Sequence, residues 1–221
     1  MKAGNISQTV WTVSYTHLFH YTLTHSFIRK TMLLSVGLNF ALTPLFIVGV
    51  PYILRVTMNL NTGLYGIGIG IMEFATILGA LLIGAVSKKI RVSNFYLWIL
   101  FVAILLIPMG MSTIPLLLQH GTFPAFALFV LGGVPLSACL SIVSIFAISK
   151  IQKVTPSKNL GKVMSIIMAT AQCVAPIGQI LYGIGFETFE NRAYIPIMIT
   201  FAATILLSIL SKALYRNEKD I

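Results

Sequence analysis

One carboxylate stands in the middle of an apolar run: Glu73, in "YGIGIGIMEFATILGALLIGAVSKKIR", Tyr65 to Arg91. An ionised carboxylate is costly in hydrocarbon, so it faces a protein interior, finds a partner or takes up a proton. Two roles fit that chemistry. Glu73 is a protonatable site whose charge changes during a transport cycle, or a hydrogen-bonded acid that fixes helix packing against Asn39, Thr43 or a backbone carbonyl. Other polar side chains interrupt comparable runs at helical spacing. Asn39 and Thr43 are four residues apart, Gln172 and Gln179 seven, Glu73 and Thr76 three, and Ser137, Ser141 and Ser144 follow four then three. Each set shares one helix face. An amide needs several hydrogen-bond partners, so the glutamines either line a polar path or bond between helices. The serines either line it too or let helices approach closely, each satisfied on its own i−4 carbonyl.

Depth brings these groups together. Counting from the nearest basic anchor at 1.5 Å per residue, Glu73 lies about 22 Å from Lys88, and Thr43 and Ser137 about 20 Å from Lys30 and Lys150. Gln172 and Gln179 bracket that layer, about 15 and 25 Å from Lys162. Four helices each offering a narrow polar face at one depth is the arrangement expected around a water-filled cavity.

The elements that must hold these faces are membrane helices. Of the 221 residues 57% are hydrophobic and 9% charged, where a soluble domain carries about 25% charged. A helix needs about 20 apolar residues to cross a hydrocarbon layer roughly 30 Å thick. Six stretches qualify: Met32 to Leu54, Gly63 to Ser87, Ser93 to Leu117, Phe123 to Ser149, Val163 to Phe186 and Ala193 to Ser211. The expected fold is an all-α membrane protein with six transmembrane helices. Residues 1–30 form a cytoplasmic or interfacial segment, 31–214 the six-helix half-bundle and 215–221 a tail.

Lys and Arg give the orientation. With six spans, thirteen of the fifteen basic residues fall on the side of the termini, leaving Arg55 and Arg192 opposite. Both termini are therefore expected in the cytoplasm. The net charge of +10 is broken into short clusters with no continuous basic face, so nucleic acid is not the expected partner; membrane lipid is. The first 30 residues are too polar to span and lack a signal-peptide core. Trp11, Tyr15, Phe19 and Tyr21 beside Arg29 and Lys30 suit an interfacial segment. His17, His20 and His25 match no metal-ligand spacing, and Cys139 and Cys173 lie in apolar runs that suggest neither a disulfide nor a thiolate site. No Walker loop, nucleophile elbow or HExxH is present. His120 stands alone, and Glu187, Glu190 and Arg192 look like a solvated turn. Neither an enzyme nor a cofactor is expected. Prolines at 44, 135 and 176 interrupt the spans and mark places where helices bend.

Three blocks carry a family resemblance. "LLSVGLNFALTPLFIVGVPYIL" (Leu33 to Leu54) and "GLYGIGIGIMEFATILGALLIGAVSKK" (Gly63 to Lys89) resemble the seventh and eighth helices of major facilitator superfamily exporters. "LGKVMSIIMATAQCVAPIGQILYGIGFE" (Leu160 to Glu187) is similar to the loop into helix eleven and that helix, in the macrolide- and siderophore-efflux-like branch. "GAVSKKIR" looks like the second-half echo of the superfamily's cytoplasmic loop motif, with Lys88 where the first-half copy has an aspartate. That acid's charge-relay role does not carry over. Lys88, Lys89 and Arg91 are left as a basic loop with a gating contact to another half.

The resemblance implies 3+3 inverted repeats and alternating access between two six-helix halves, with a small-molecule substrate between them, in a bacterial inner membrane. It also implies proton-coupled efflux. Glu73, Asn39, Thr43, Ser137, Gln172 and Gln179 would line the substrate and proton pathway. A largely apolar cavity with one acid suits a lipophilic, cationic compound. The chain matches only the second half of that family, so a missing six-helix half or a second subunit is the expected partner, and a partial reading frame the expected origin. The rival expectation is a membrane assembly or interaction subunit without transport, or an inactive half-transporter remnant.

Overall fold

The computed structural model describes residues 25–87 and 90–216, and among them every long element is a helix. Six are long and apolar enough to cross a membrane: α1 (Ser26–Thr57), α2 (Thr62–Val86), α3 (Val92–Met111), α4 (Thr122–Val154), α5 (Leu160–Thr188) and α6 (Tyr194–Tyr215). The chain is an all-α, multi-pass membrane protein.

Most span ends shift by a few residues from the sequence expectation, α4 running on to Val154 and α6 to Tyr215, and two differ most. α1 starts at Ser26 rather than Met32, because Arg29 and Lys30 continue the helix beyond the apolar core instead of ending it. α3 stops at Met111 instead of running to Leu117. The Ser112 and Thr113 hydroxyls donate to the Met109 and Gly110 carbonyls at 2.6 and 2.8 Å, which closes the helix locally. Pro115 then forces Ile114 out of the helical region, to ψ 133°, and opens a separate short helix, Pro115–Gln119.

α1 is bent by its own prolines. Pro44 supplies no N–H and is followed by a π-helical turn, Leu45–Gly49; Pro51 is followed by a second, Ile53–Thr57. Such turns absorb the hydrogen bonds that proline disrupts. The turn into α2 contains Asn59 in a left-handed conformation at φ 48°. Asn61 caps α2 by accepting from the Leu64 N–H at 2.9 Å. Arg55 clamps the same turn, donating to the Leu60 carbonyl at 3.1 Å and covering the Tyr65 ring.

The helices pack in a defined order. α2 lies against α4, α4 against α3, α3 against α6, α6 against α1 and α1 against α5, while α1 and α4 touch more briefly. Exchanging α1–α3 for α4–α6 reproduces this list. The match extends to residues. Gly37 and Gly132 lie 11 and 10 residues into α1 and α4, facing Leu207 and Leu105, each 13 residues into α6 and α3. Gly79 and Gly178 lie 17 and 18 residues into α2 and α5, against the backbone of Ala138 on α4 and of Phe40 on α1. Three helices per unit make the second unit run opposite to the first, so the bundle is an inverted repeat.

Two apolar cores result. One lies toward the end that carries Arg29, Lys30, Lys150 and Lys162 and includes Phe27, Phe95, Phe146, Ile151 and Tyr215. The larger lies toward the opposite end and includes Leu54, Met58, Leu106, Phe129 and Phe186. In a bilayer these contacts hold through close packing rather than exclusion of water.

Candidate functional site: a cavity between α1, α4 and α5

A cavity of about 480 Å³ opens where α1, α4 and α5 diverge. It runs from Thr31, one turn from the basic end of α1, to Phe46 and Ile47 at mid-helix. α4 contributes Leu140 to Ile151 and α5 Met164 to Gln172, again the halves nearest the basic end. The opposite halves of the same helices are closed by the larger core.

α1 supplies the polar side. Thr31, Ser35, Asn39 and Thr43 recur every four residues and form one stripe down the cavity wall. They are bonded along the helix. Asn39 donates through Nδ2 to the Ser35 carbonyl at 2.9 Å, and Thr43 donates to Asn39 Oδ1 at 3.2 Å. Thr31 donates to the Phe27 carbonyl at 2.9 Å, so the Tyr215 hydroxyl donates to it at 2.7 Å. Tyr215 thus ties the end of α6 to the end of the cavity nearest the basic residues. An amide has two N–H donors and two acceptor sites. Asn39 therefore keeps one donor and one acceptor for something else. Across the gap stand Ser144 and Gln172, both exposed, and the Gln172 amide makes no hydrogen bond among the described residues. Among the described residues, none that lines the cavity is charged.

The sequence candidates divide accordingly. Asn39, Thr43 and Gln172 come together in the cavity, and so does Ser144 of the serine stripe. Ser137 is buried on α4 beyond the cavity's inner end, and Gln179 is half-buried further along α5. Glu73 lies apart. α2 buries a narrow stripe, Gly68, Met72, Ala75 and Gly79, against α4, and Glu73 is on the exposed side beside Phe74 and Ile77. It makes no hydrogen bond or ion pair among the described residues. Of the basic loop, Lys88 and Lys89 lie outside the described residues, while Arg91 is exposed ahead of α3. His17 and His20 also lie outside them, and no cluster that could hold a metal exists among those described.

Sequence reasoning passed over Thr31 and Ser35, although their four-residue spacing continues the Asn39–Thr43 pattern toward the basic end. It also passed over Tyr182, which joins three helices. Its hydroxyl donates to the Ala41 carbonyl of α1 at 2.8 Å and is hydrogen-bonded with the Thr200 hydroxyl of α6.

No family model, curated protein or solved structure matches the chain.

Proposed function

We propose that this membrane protein is one six-helix half of a secondary active transporter of the major facilitator type. In that role it exports a small lipophilic molecule by alternating access. The observation that carries this reading is the α1–α4–α5 cavity, polar along its α1 wall and exposed at Ile47, Ser144, Met168 and Gln172. The inverted repeat supports it, since repeats of this kind build the halves of secondary transporters. The bias of Lys and Arg toward one end supports termini in the cytoplasm, with the cavity in the half nearer that side, in a bacterial inner membrane.

In this mechanism substrate enters between α4 and α5, which do not pack on each other, and meets the Asn39, Thr43 and Gln172 side chains. A second wall comes from another six-helix half or a second copy, which would cover the exposed face of α2. Glu73 on that face is the proton carrier. Protonated from outside, it is neutral and the outward state releases substrate; deprotonated inside, it restores the inward state.

A second reading has its own observation. Glu73 with an exposed apolar face around it is also what an assembly subunit would show before its partner helix docks. Efflux of Nile red from energised cells producing the full chain separates the two. Export that collapses with the proton gradient, and in Glu73→Gln, supports transport. Absence of export, alone or with a partner that Glu73→Gln releases, supports assembly.

A further inference from the structure

We infer that the α1–α4–α5 cavity is a binding site for an uncharged ligand, an apolar body carrying a carbonyl or hydroxyl group, and that it discriminates against ammonium ions. The inference rests on the transport reading only for its biological use; the site itself is argued from its lining.

The sequence, with one acid among apolar spans, favours a cation. The structure removes the basis for that, because Glu73 is on α2 and the cavity is built by α1, α4 and α5. A cation entering would leave water for a wall of leucine, isoleucine, methionine and phenylalanine with no countercharge. An anion would likewise meet hydroxyls and amides but no cationic side chain among the described residues.

The polar groups that remain specify the ligand. Thr31 and Thr43 spend their protons on the Phe27 carbonyl and on Asn39. What is left over is the second N–H of Asn39 and the whole amide of Gln172, on facing helices. Two N–H donors pointing into an apolar space match one carbonyl oxygen, which has two lone pairs. The amide oxygen of Gln172 adds an acceptor for a hydroxyl. Aliphatic and thioether side chains, with Met164 and Met168 on α5, supply an adaptable surface for the apolar body.

Photolabelling tests this with benzophenone, a neutral ketone that is both ligand mimic and crosslinker. The full chain in lipid nanodiscs is irradiated with benzophenone, with its 4-(trimethylammonio)methyl derivative and with its 4-carboxylate, at matched membrane concentration. Labelled residues are located by mass spectrometry. The expected result is labelling of the cavity segments 31–47 and 164–172 by the ketone at about ten times or more the level of either charged probe. Labelling of the exposed face of α2, a measure of probe dissolved in lipid, serves as the internal reference. Gln172→Leu is expected to lower cavity labelling by the ketone about threefold or more. Gln172→Glu, also at an exposed position, is expected to raise labelling by the ammonium probe.

Equal cavity labelling by the ammonium probe overturns the inference, and so does a Gln172→Glu variant whose ammonium labelling does not rise. Ketone labelling unchanged in both Gln172→Leu and Asn39→Leu overturns it too. If the ketone pattern holds while proton-driven export is absent, the transport reading falls and the ligand class stands. If export is present while the ammonium probe is favoured, the ligand class falls and transport stands.

Discussion

The Phe40 carbonyl, deprived by Pro44 of the N–H it would meet one turn on, faces Gly178 of the neighbouring helix. A Cβ on Gly178 would lie 2.7 Å from that oxygen and 2.6 Å from Pro44 Cγ. Two rigid backbones therefore meet with no side chain between them, close enough for the glycine Cα–H to approach the freed oxygen. Gly178→Ala is expected to destabilise the bundle by about 1–3 kcal/mol, because neither a proline ring nor a backbone carbonyl can move aside. Gly183→Ala, one turn further on with open space around it, is expected to be neutral or to stabilise by up to about 1 kcal/mol. Reversible unfolding in mixed micelles reads both. Equal effects of the two substitutions would refute the contact.

Tyr182 is one turn from Gly178 and completes the hold on the same bend of α1. Tyr182→Phe removes the hydroxyl and leaves the ring against Phe186, so packing is preserved. The expected loss is about 0.5–1.5 kcal/mol. Faster amide exchange should be confined to the π-turn Leu45–Gly49 and its neighbours. Thr200→Val leaves the donation to Ala41 in place and should change exchange there less. An exchange map identical to the parent's for Tyr182→Phe would show that the hydroxyl does not brace the bend.

Glu73 gives opposite signs for its two sequence readings. A packing acid is needed for stability, whereas an acid on an open apolar face opposes it. Glu73→Leu is therefore expected to raise the thermal midpoint of the isolated chain. A hydrophobic carbodiimide is expected to modify Glu73 in the isolated chain and to fail once the partner of α2 is present. A lower midpoint in Glu73→Leu would restore the packing role.

The entry to α2 depends on one side chain. Asn61→Ala is expected to cost about 1 kcal/mol by exposing the first-turn N–H that Asn61 now satisfies, and Asn61→Ser to recover most of it. Thermal unfolding compares the three.

Six spans were legible because hydrocarbon imposes a length that uncharged runs display openly. The break after Met111 was legible in kind, through Pro115, but not in place. The carbonyl-seeking hydroxyls of Ser112 and Thr113 ended the helix before the proline did. Depth was also readable, since helical rise is fixed, and it put Thr43, Ser137 and Glu73 in one layer. Facing direction was not. In α2 every side is apolar, so nothing in its sequence separated the stripe of Gly68, Met72, Ala75 and Gly79 that meets α4 from the side that carries Glu73. On α1 the four-residue polar stripe did mark a face, and that face is the cavity wall.

The two triplets of helices are interchangeable in how they pack but not in where their cations sit. In the first triplet Arg29 and Lys30 open the leading helix and Arg91 precedes the third; in the second, Lys150 and Lys153 close the leading helix and Lys212 and Arg216 end or follow the third. Helix packing therefore carries no arrow. A triplet would assemble the same helix contacts threaded either way across the bilayer, and the direction of insertion is written in a few loop and end residues outside the two apolar cores. Moving those cations from one set of loops to the other would be a change of address, leaving the architecture untouched.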